Sequence, residues 1–318
     1  MISADSPLLE IQAAARRIAG VAHRTPVFTC NTLDRMCGRS LFFKCENFQK
    51  TGSFKFRGAS NAVLKLDQAT AARGVVTHSS GNHAQAVALA ARQRGIPAHI
   101  VMPSNASAVK KRAVQEYGAE VIECEPTLAA RETTAARVLA RTGGTLIPPY
   151  DHPDIVAGQA TSALELLQEA PGLDAVVTPV GGGGLLAGTC LSSKAMGAHI
   201  RVFGAEPQGA DDAARSMAAG ALIPQTGPRT IADGLLTSLG ETTWPIIRDR
   251  VERIVTVSED EIISAMRLTW ERAKLLIEPS SAVAVAAVLT AAFGKLEGLE
   301  HVGIILSGGN VDLDNLPW

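Results

Sequence analysis

The sequence predicts an α/β protein of two lobes, each a mostly parallel sheet flanked by helices. Three observations carry this expectation. Short β-branched runs alternate with alanine-rich helical stretches, glycines repeatedly stop those helices, and 318 residues are long for a single core. Hydrophobic residues make up 46% of the chain but aromatics only 4%, so the core is built mainly of Ala, Val, Leu and Ile.

The alternation is clearest from residue 74. Residues 74–78 read as a strand and 83–94 as a helix stopped by Gly95. Residues 98–102 form the next strand, 108–117 a helix stopped by Gly118, 119–124 a strand, and 128–141 a helix ended by Gly143 and Gly144. A second unit follows, with helix 155–169, strand 175–179, a glycine turn, helix 185–196 and strand 200–205. The remainder reads as strand 254–257, helices 259–274 and 281–292, and strand 302–306. The expected crossings between lobes are residues 67–74 and 148–153. Residues 74–149 then form a small mobile lobe that closes on substrate, inserted into a large lobe of 1–67 and 153–318.

Composition excludes several functions. Net charge is −1 and the longest basic run is Lys110-Lys111-Arg112, too little for a protein whose main partner is nucleic acid. Asp5 and Glu10 precede any apolar stretch, unlike a secretory signal, and the apolar segment 282–293 is too short to span a bilayer. Five scattered cysteines without a CxxC pair fit reduced thiols in a cytoplasmic protein.

Four segments carry chemistry. Lys55 lies in Gly52-Ser53-Phe54-Lys55-Phe56-Arg57-Gly58, between two aromatics. Desolvation there lowers a lysine pKa and yields the neutral amine that attacks a carbonyl or takes a proton. From these seven residues alone, a solvated lysine at a helix start is the simpler reading. Val180-Gly181-Gly182-Gly183-Gly184-Leu185 joins a strand to a helix, so backbone N–H groups converge on a helix N-terminus as a phosphate cradle. The same stretch fits a loose dinucleotide fingerprint, with Glu206 about 20 residues on. Glu206 also heads an acidic stretch through Asp211 and Asp212 that can share a hard divalent cation with a backbone carbonyl.

Thr77-His78-Ser79-Ser80-Gly81-Asn82-His83 follows a strand and opens a helix, where hydroxyls, an amide and free N–H groups suit a carboxylate. Leu306-Ser307-Gly308-Gly309-Asn310 follows the last strand. In open α/β sheets ligands bind beyond the carboxyl ends of strands, which is where the glycine loop, the Ser79–His83 turn and Ser307 fall. A phosphate cradle, a carboxylate nest and an amine in an apolar frame together describe an enzyme that joins an amino acid to pyridoxal phosphate.

These motifs, in this order, resemble those of fold-type II pyridoxal-phosphate enzymes with the tryptophan synthase β-like architecture. The resemblance is strongest to the serine/threonine dehydratase and serine racemase branch, which includes the hydroxyaspartate dehydratases. It implies that Lys55 carries the cofactor, Phe54 packs on its ring, and Asn82 bonds the ring oxygen. Gly181, Gly182, Gly183 and Gly184 would take its phosphate, and Ser307 its ring nitrogen. Ser79, Asn82 and His83 would hold the substrate carboxylate. Glu206, the Ala210 carbonyl and Asp212 match a Mg²⁺ or Ca²⁺ site of racemase-like members. Lys50, Thr51 and Lys110 match nucleotide-contacting positions, which implies ATP as an effector, although Cys30 and Asn31 replace a serine pair there.

The implied activity is a dehydratase of the ammonia-lyase type, with Lys55 as the base at Cα. Its substrate is a β-hydroxy amino acid: L-threonine, L-serine or 3-hydroxyaspartate. Ser80 stands where racemase-like members keep a serine opposite the lysine, so serine racemase with dehydratase side activity is the alternative. Arg131 matches a small-lobe arginine able to pair with a β-carboxylate, and equally fits a solvated helix arginine beside Glu132. Tyr150 departs from the asparagine of animal racemases. A homodimer is implied.

Overall fold

The computed structural model describes residues 7–79, 81–106 and 108–318. Its strands are β1 (Val27–Phe28), β2 (Ser40–Cys45), β3 (Val75–His78), β4 (Ala98–Pro103), β5 (Glu120–Cys124), β6 (Thr145–Leu146), β7 (Ala175–Pro179), β8 (Arg201–Pro207), β9 (Arg253–Val257) and β10 (His301–Leu306). Six strands form one sheet in the order β1-β2-β10-β7-β8-β9, and four form another in the order β5-β4-β3-β6. Apart from antiparallel β1 and β2, the paired strands run parallel. This is the expected consequence of helical crossovers between successive strands. All four strands of the smaller sheet come from residues 75–146, between β2 and β7 of the larger one.

Register places the site. In the parallel pair of β10 and β2, Leu306 lies opposite Cys45, so both strands end at the same edge. The turn beginning at Ser307 therefore emerges beside the segment that runs from β2 to Lys55. Pro179 lies opposite Ala205 in the β7–β8 pair, which brings the glycine loop after β7 near Glu206 in β8.

Strands β1, β2 and β6 were not legible in the sequence. Strand β2 contains Lys44, which is fully buried and paired at 2.8 Å with Glu165 on the helix Pro153–Glu169. Lys44 interrupts the apolar run Leu41-Phe42-Phe43, and the acid that neutralises it is distant in sequence, while β1 and β6 are only two residues each. The expected helix 259–274 ends at Leu268, continues as a π turn over Thr269–Ala273, and stops at Lys274 with φ 59°. The expected helix 281–292 is instead Pro279–Leu289, broken at extended Thr290 before a short helix Ala291–Gly294.

The helix Lys55–Lys65 joins the two sheets. Its Phe56, Ala59 and Val63 share a core with Val75, Ala84, Val87 and Ile100 around the smaller sheet. On its other side it packs against the helix Pro153–Glu169. Gly58 and Gly158 permit that approach: a Cβ on Gly158 would lie 2.6 Å from the Gly58 Cα. No helix among the described residues is long and apolar enough to cross a membrane.

Beneath the lysine, Arg57 is fully buried and fully engaged. Its guanidinium donates to Glu46 at 2.7 and 2.8 Å, to Glu165 at 2.7 and 2.8 Å, and to the Thr161 hydroxyl at 3.2 Å. Burial alone would raise the Glu46 carboxyl, but Arg57 holds it below the usual carboxylate range. Removing one partner of such a pair strands the other charge in a dry interior, a larger loss than the pair's own net worth. Glu46→Ala is therefore expected to cost roughly 3–5 kcal/mol in urea unfolding. A loss below ~1 kcal/mol, the range of surface pairs, would show that the site is wet.

Candidate active site

Lys55 opens its helix directly after Phe54, and the local path is set by backbone pairing. Ser53 forms an antiparallel bridge with Gly308. Phe54 N–H donates to the Ser307 carbonyl at 3.0 Å and Gly309 N–H to the Gly52 carbonyl at 2.9 Å. Thr51 and Gly52 both take positive φ, 61° and 73°. A Cβ on Gly52 would lie 2.3 Å from Asn310 Oδ1, so only glycine fits that turn.

The Lys55 amine donates to the Pro149 carbonyl at 2.7 Å and lies 5.2 Å from the Phe54 ring centroid. Burial lowers its pKa to about 8, against the upward pull of Glu278. The amine thus has the electrostatics expected of a nucleophile or base, with one carbonyl partner and no direct carboxylate ion pair among the described residues.

The turn after β3 faces it. Asn82 starts the helix Asn82–Arg94, donates from Nδ2 to Glu278 Oε1 at 2.8 Å, and accepts at Oδ1 from Asn310 Nδ2 at 2.8 Å. His83 is buried with Nε2 2.9 Å from the Ile147 carbonyl, and burial together with the nearby Lys55 charge pushes its pKa down to about 3. The ring is therefore neutral with its proton on Nε2, leaving Nδ1 as an acceptor without a partner among the described residues. An acceptor does not bind a carboxylate, so any contribution of His83 to carboxylate binding comes from its backbone N–H. Ser79 Oγ accepts from Gly81 N–H at 3.3 Å. Ser80 lies outside the described residues.

Gly181 to Gly184 are all buried at the mouth of the helix Gly184–Met196. A Cβ at Gly182 would sit 2.2 Å from the Tyr150 ring, and one at Gly183, with φ 85°, would lie 2.7 Å from Ile247. Thr243 Oγ1 donates to the Gly182 carbonyl at 2.9 Å, turning that peptide's N–H to the opposite side. The neighbouring side chains leave no room for a larger residue, so the loop stays bare backbone at a helix start, as a phosphate cradle requires. Ser307 is 3% exposed at the end of β10. Thr51 Oγ1, Ser53 Oγ and His83 Nδ1 are buried without a hydrogen-bond partner among the described residues, so unsatisfied polar atoms gather around Lys55. Cradle, amine and orphaned polar groups fit a phosphorylated carbonyl cofactor.

Glu206 is fully buried and Asp212 nearly so. Burial raises Glu206 to about 8 even though Ala213 and Ala214 N–H groups donate to it at 3.0 and 2.9 Å. Burial likewise raises Asp212 to about 6, and its Oδ1 has no partner among the described residues while Oδ2 accepts from Leu239 N–H at 2.9 Å. Among the described residues no group of three or more His, Cys, Asp or Glu side chains is placed to hold a metal. A cation here needs the Ala210 carbonyl and water as well.

Arg131 Nε is buried and without a partner among the described residues. Burial lowers His78 at the end of β3 and raises the Cys124 thiol at the end of β5, and the Arg131 charge pulls both downward. The arginine thus sits at the carboxyl ends of the small sheet. Lys110 pairs with Asp233 at 2.9 Å, while Lys50 lies 5.9 Å from the Phe56 ring centroid. Sequence reasoning missed Glu278 altogether. An acid before Pro279 at a helix start looks like an ordinary cap, and only the fold shows its carboxyl turned elsewhere.

Residues 18–308 match the family model described as pyridoxal-phosphate dependent enzyme. The chain is 49% identical over 312 residues to a β-hydroxyaspartate dehydratase of Paracoccus denitrificans, covering 97% of this chain and 98% of that one. It is 48% identical over 311 residues to a serine racemase of Dictyostelium discoideum, covering 97% and 96%. The solved T.th. threonine deaminase superposes with a TM-score of 0.91 at 44% identity, covering 97% of this chain and 99% of that one.

The depressed Lys55 pKa has a measurable sign. Folding disfavours the charged amine, so its cost to stability is full below about 8 and is relieved as pH rises toward the unfolded value. Labelling of cofactor-free protein at Lys55 by an amine-directed reagent is expected to rise with pH and level off above about 8. A profile still climbing at about pH 10 would show an ordinary solvated lysine.

Proposed function

The chain belongs to the pyridoxal-phosphate dependent enzymes, and within them we propose a dehydratase that converts a β-hydroxy-α-amino acid to a 2-oxo acid and ammonia. The observation that carries this is the partly buried Lys55 amine, lowered to about 8, set beside one hydrogen-bonded ring that links the carboxylate nest to the turn after Ser307. The sequence relatives support it, since one is a β-hydroxyaspartate dehydratase and a solved neighbour is a threonine deaminase.

When bound, pyridoxal phosphate supplies the electron sink for the pair released at the substrate Cα. The residues of this chain do the rest. Gly181 to Gly184 would hold the phosphate by backbone N–H groups, and Ser307 would meet the ring nitrogen with a hydroxyl, which brings no negative charge to it as a carboxylate would. Phe54 would pack on the ring. Ser79, Asn82 and the N–H of His83 hold the substrate carboxylate at a helix start. Lys55 takes the Cα proton in its neutral form, and the β-hydroxyl leaves as water. A water returns in the final hydrolysis, so the net products are 2-oxo acid and ammonia.

Arg131 is the proposed partner of a β-carboxylate, which places 3-hydroxyaspartate among the substrates beside L-threonine and L-serine. Its buried Nε, without a partner among the described residues, supports that role better than a solvated helix position. The second reading is serine racemase with dehydratase side activity, favoured by the serine racemase relative and by Ser80. Residues 74–149 are proposed as the closing lobe. ATP as effector rests on Lys50, Thr51 and Lys110. A cytoplasmic homodimer completes the reading, with five free cysteines suited to a reducing compartment.

The decisive assay follows 2-oxo acid and product chirality across L-threonine, both serine enantiomers and the 3-hydroxyaspartate stereoisomers. The expected result is 2-oxo acid from at least one substrate, lost roughly 10³-fold or more in Lys55→Ala. Ser80→Ala is expected to spare 2-oxo acid while ending any racemisation. Racemisation outpacing elimination would make the second reading the correct one.

Glu206 and Asp212, with the Ala210 carbonyl, are proposed to hold Mg²⁺ or Ca²⁺, which would stabilise two carboxylates whose charge burial disfavours. Chelation is expected to lower the melting temperature by a few degrees. Added cation should restore it in the wild type but not in Glu206→Gln. A melting temperature indifferent to chelator and cation would remove the metal.

A further inference from the structure

Glu278 occupies the N-cap of the helix Pro279–Leu289, yet its side chain makes no capping bond. An acid in that position ordinarily accepts from its own helix. Here the carboxyl, 4% exposed, turns away into the site. Oε1 accepts from Asn82 Nδ2 at 2.8 Å and Oε2 from the Asn310 backbone N–H at 3.1 Å. Room for it is made by Gly308, where a Cβ would lie 2.5 Å from Oε1. Asn310 completes the ring, giving its two side-chain hydrogens to the Thr51 carbonyl at 2.7 Å and to Asn82 Oδ1 at 2.8 Å.

Donor and acceptor counting makes this ring directional. Glu278 offers acceptors, so it selects the NH₂ end of the Asn82 amide, while the NH₂ of Asn310 selects the oxygen end. With the oxygen and one hydrogen committed, Asn82 keeps its second N–H for a ligand. Were the amide flipped, a ligand would meet an oxygen there instead. Asn82 belongs to residues 74–149, whereas Glu278 and Asn310 come from the larger sheet's side, so the same ring ties the two together.

We propose that Glu278 is a positioning residue that fixes the Asn82 amide so that an N–H, not a carbonyl oxygen, meets the ring oxygen of pyridoxal phosphate. The inference rests on the cofactor reading above. The charged groups facing Glu278 are Lys55, Asp233 and Lys110. Burial and Asp233 push its carboxyl up to about 8, while the bonds from Asn82 and Asn310 and the charge of Lys110 oppose the rise. The ionised carboxylate accepts from both Asn82 and Asn310, whereas protonation places an O–H where one of them donates, so the hold on the amide is firmest in the ionised form and Glu278→Gln mimics its loss.

Glu278→Gln puts a donor into the ring and should release the amide. The test measures pyridoxal phosphate affinity and the visible absorption of the loaded protein in wild type, Glu278→Gln, Asn82→Ala and the double variant. Expected are a loss of affinity of roughly tenfold in Glu278→Gln, a shift of the absorption band or of its pH midpoint, and a double variant no weaker than Asn82→Ala alone. Unchanged affinity and spectrum in Glu278→Gln, or losses that multiply in the double variant, would overturn the proposal. If Glu278→Gln does not fold, Asn310→Ala takes its place in the same cycle, where the same pair of outcomes supports or overturns it. A wild type that takes up no cofactor refutes the cofactor reading itself, whereas a coloured wild type with multiplying losses refutes the role of Glu278 alone.

Discussion

A short backbone pairing holds the site together. Ser53 bridges Gly308, with Phe54 N–H on the Ser307 carbonyl and Gly309 N–H on the Gly52 carbonyl. Because β2 and β10 end in register, the segments that follow them leave the sheet at the same edge, where these antiparallel bonds join them. They fix the start of the lysine helix relative to the last strand, although most of the chain lies between the two in sequence. Every other feature of the site is placed against that junction. The small sheet joins it through Asn82 and Asn310, and the glycine loop through its parallel neighbours in the larger sheet.

The helix so anchored is rigid for a second reason. Its Arg57 is locked by two carboxylates from below, and its apolar face is packed into the core around the smaller sheet. An exposed helix start would fray and solvate its first lysine, and the amine would then keep an ordinary pKa. Buried ion pairs add little net stability, but here they specify one arrangement of strand β2, the lysine helix and the helix Pro153–Glu169. The charge network beneath and the low-charge pocket above thus serve the same residue in opposite ways. One fixes its backbone, and the other lowers the pKa of its amine.

The electrostatic pattern around Lys55 is one of suppressed charge. His83 is held neutral, Ser307 is a hydroxyl, and burial pushes Glu278 up to about 8. Charge at the periphery is paired instead, as in Lys110 with Asp233. A site of this kind leaves the polarity of the reaction to the bound cofactor, while the protein supplies fixed dipoles and one basic amine. Glu206 and Asp212 stand apart from that scheme: two acids, both raised chiefly by burial, lie behind the glycine loop.

The sequence by itself determined the class of fold and the chemical inventory. Alternation of β-branched and alanine-rich segments marked β3 to β5 and β7 to β10, because strands of a parallel sheet covered by helices read as mainly apolar runs. Glycine runs and polar turns after those strands marked the ligand-binding edge, since only backbone N–H groups and small residues suit it. What the tertiary structure decided was partnership. Lys44 and Arg57 are tolerated in the interior only because Glu46 and Glu165 meet them there. The amine of Lys55 is depressed only because its surroundings exclude water, and the Glu278 carboxyl faces the site only because the chain turns it away from its own helix. A residue's type and its near neighbours are written in sequence, but desolvation and distant pairing are set by whatever the fold brings alongside.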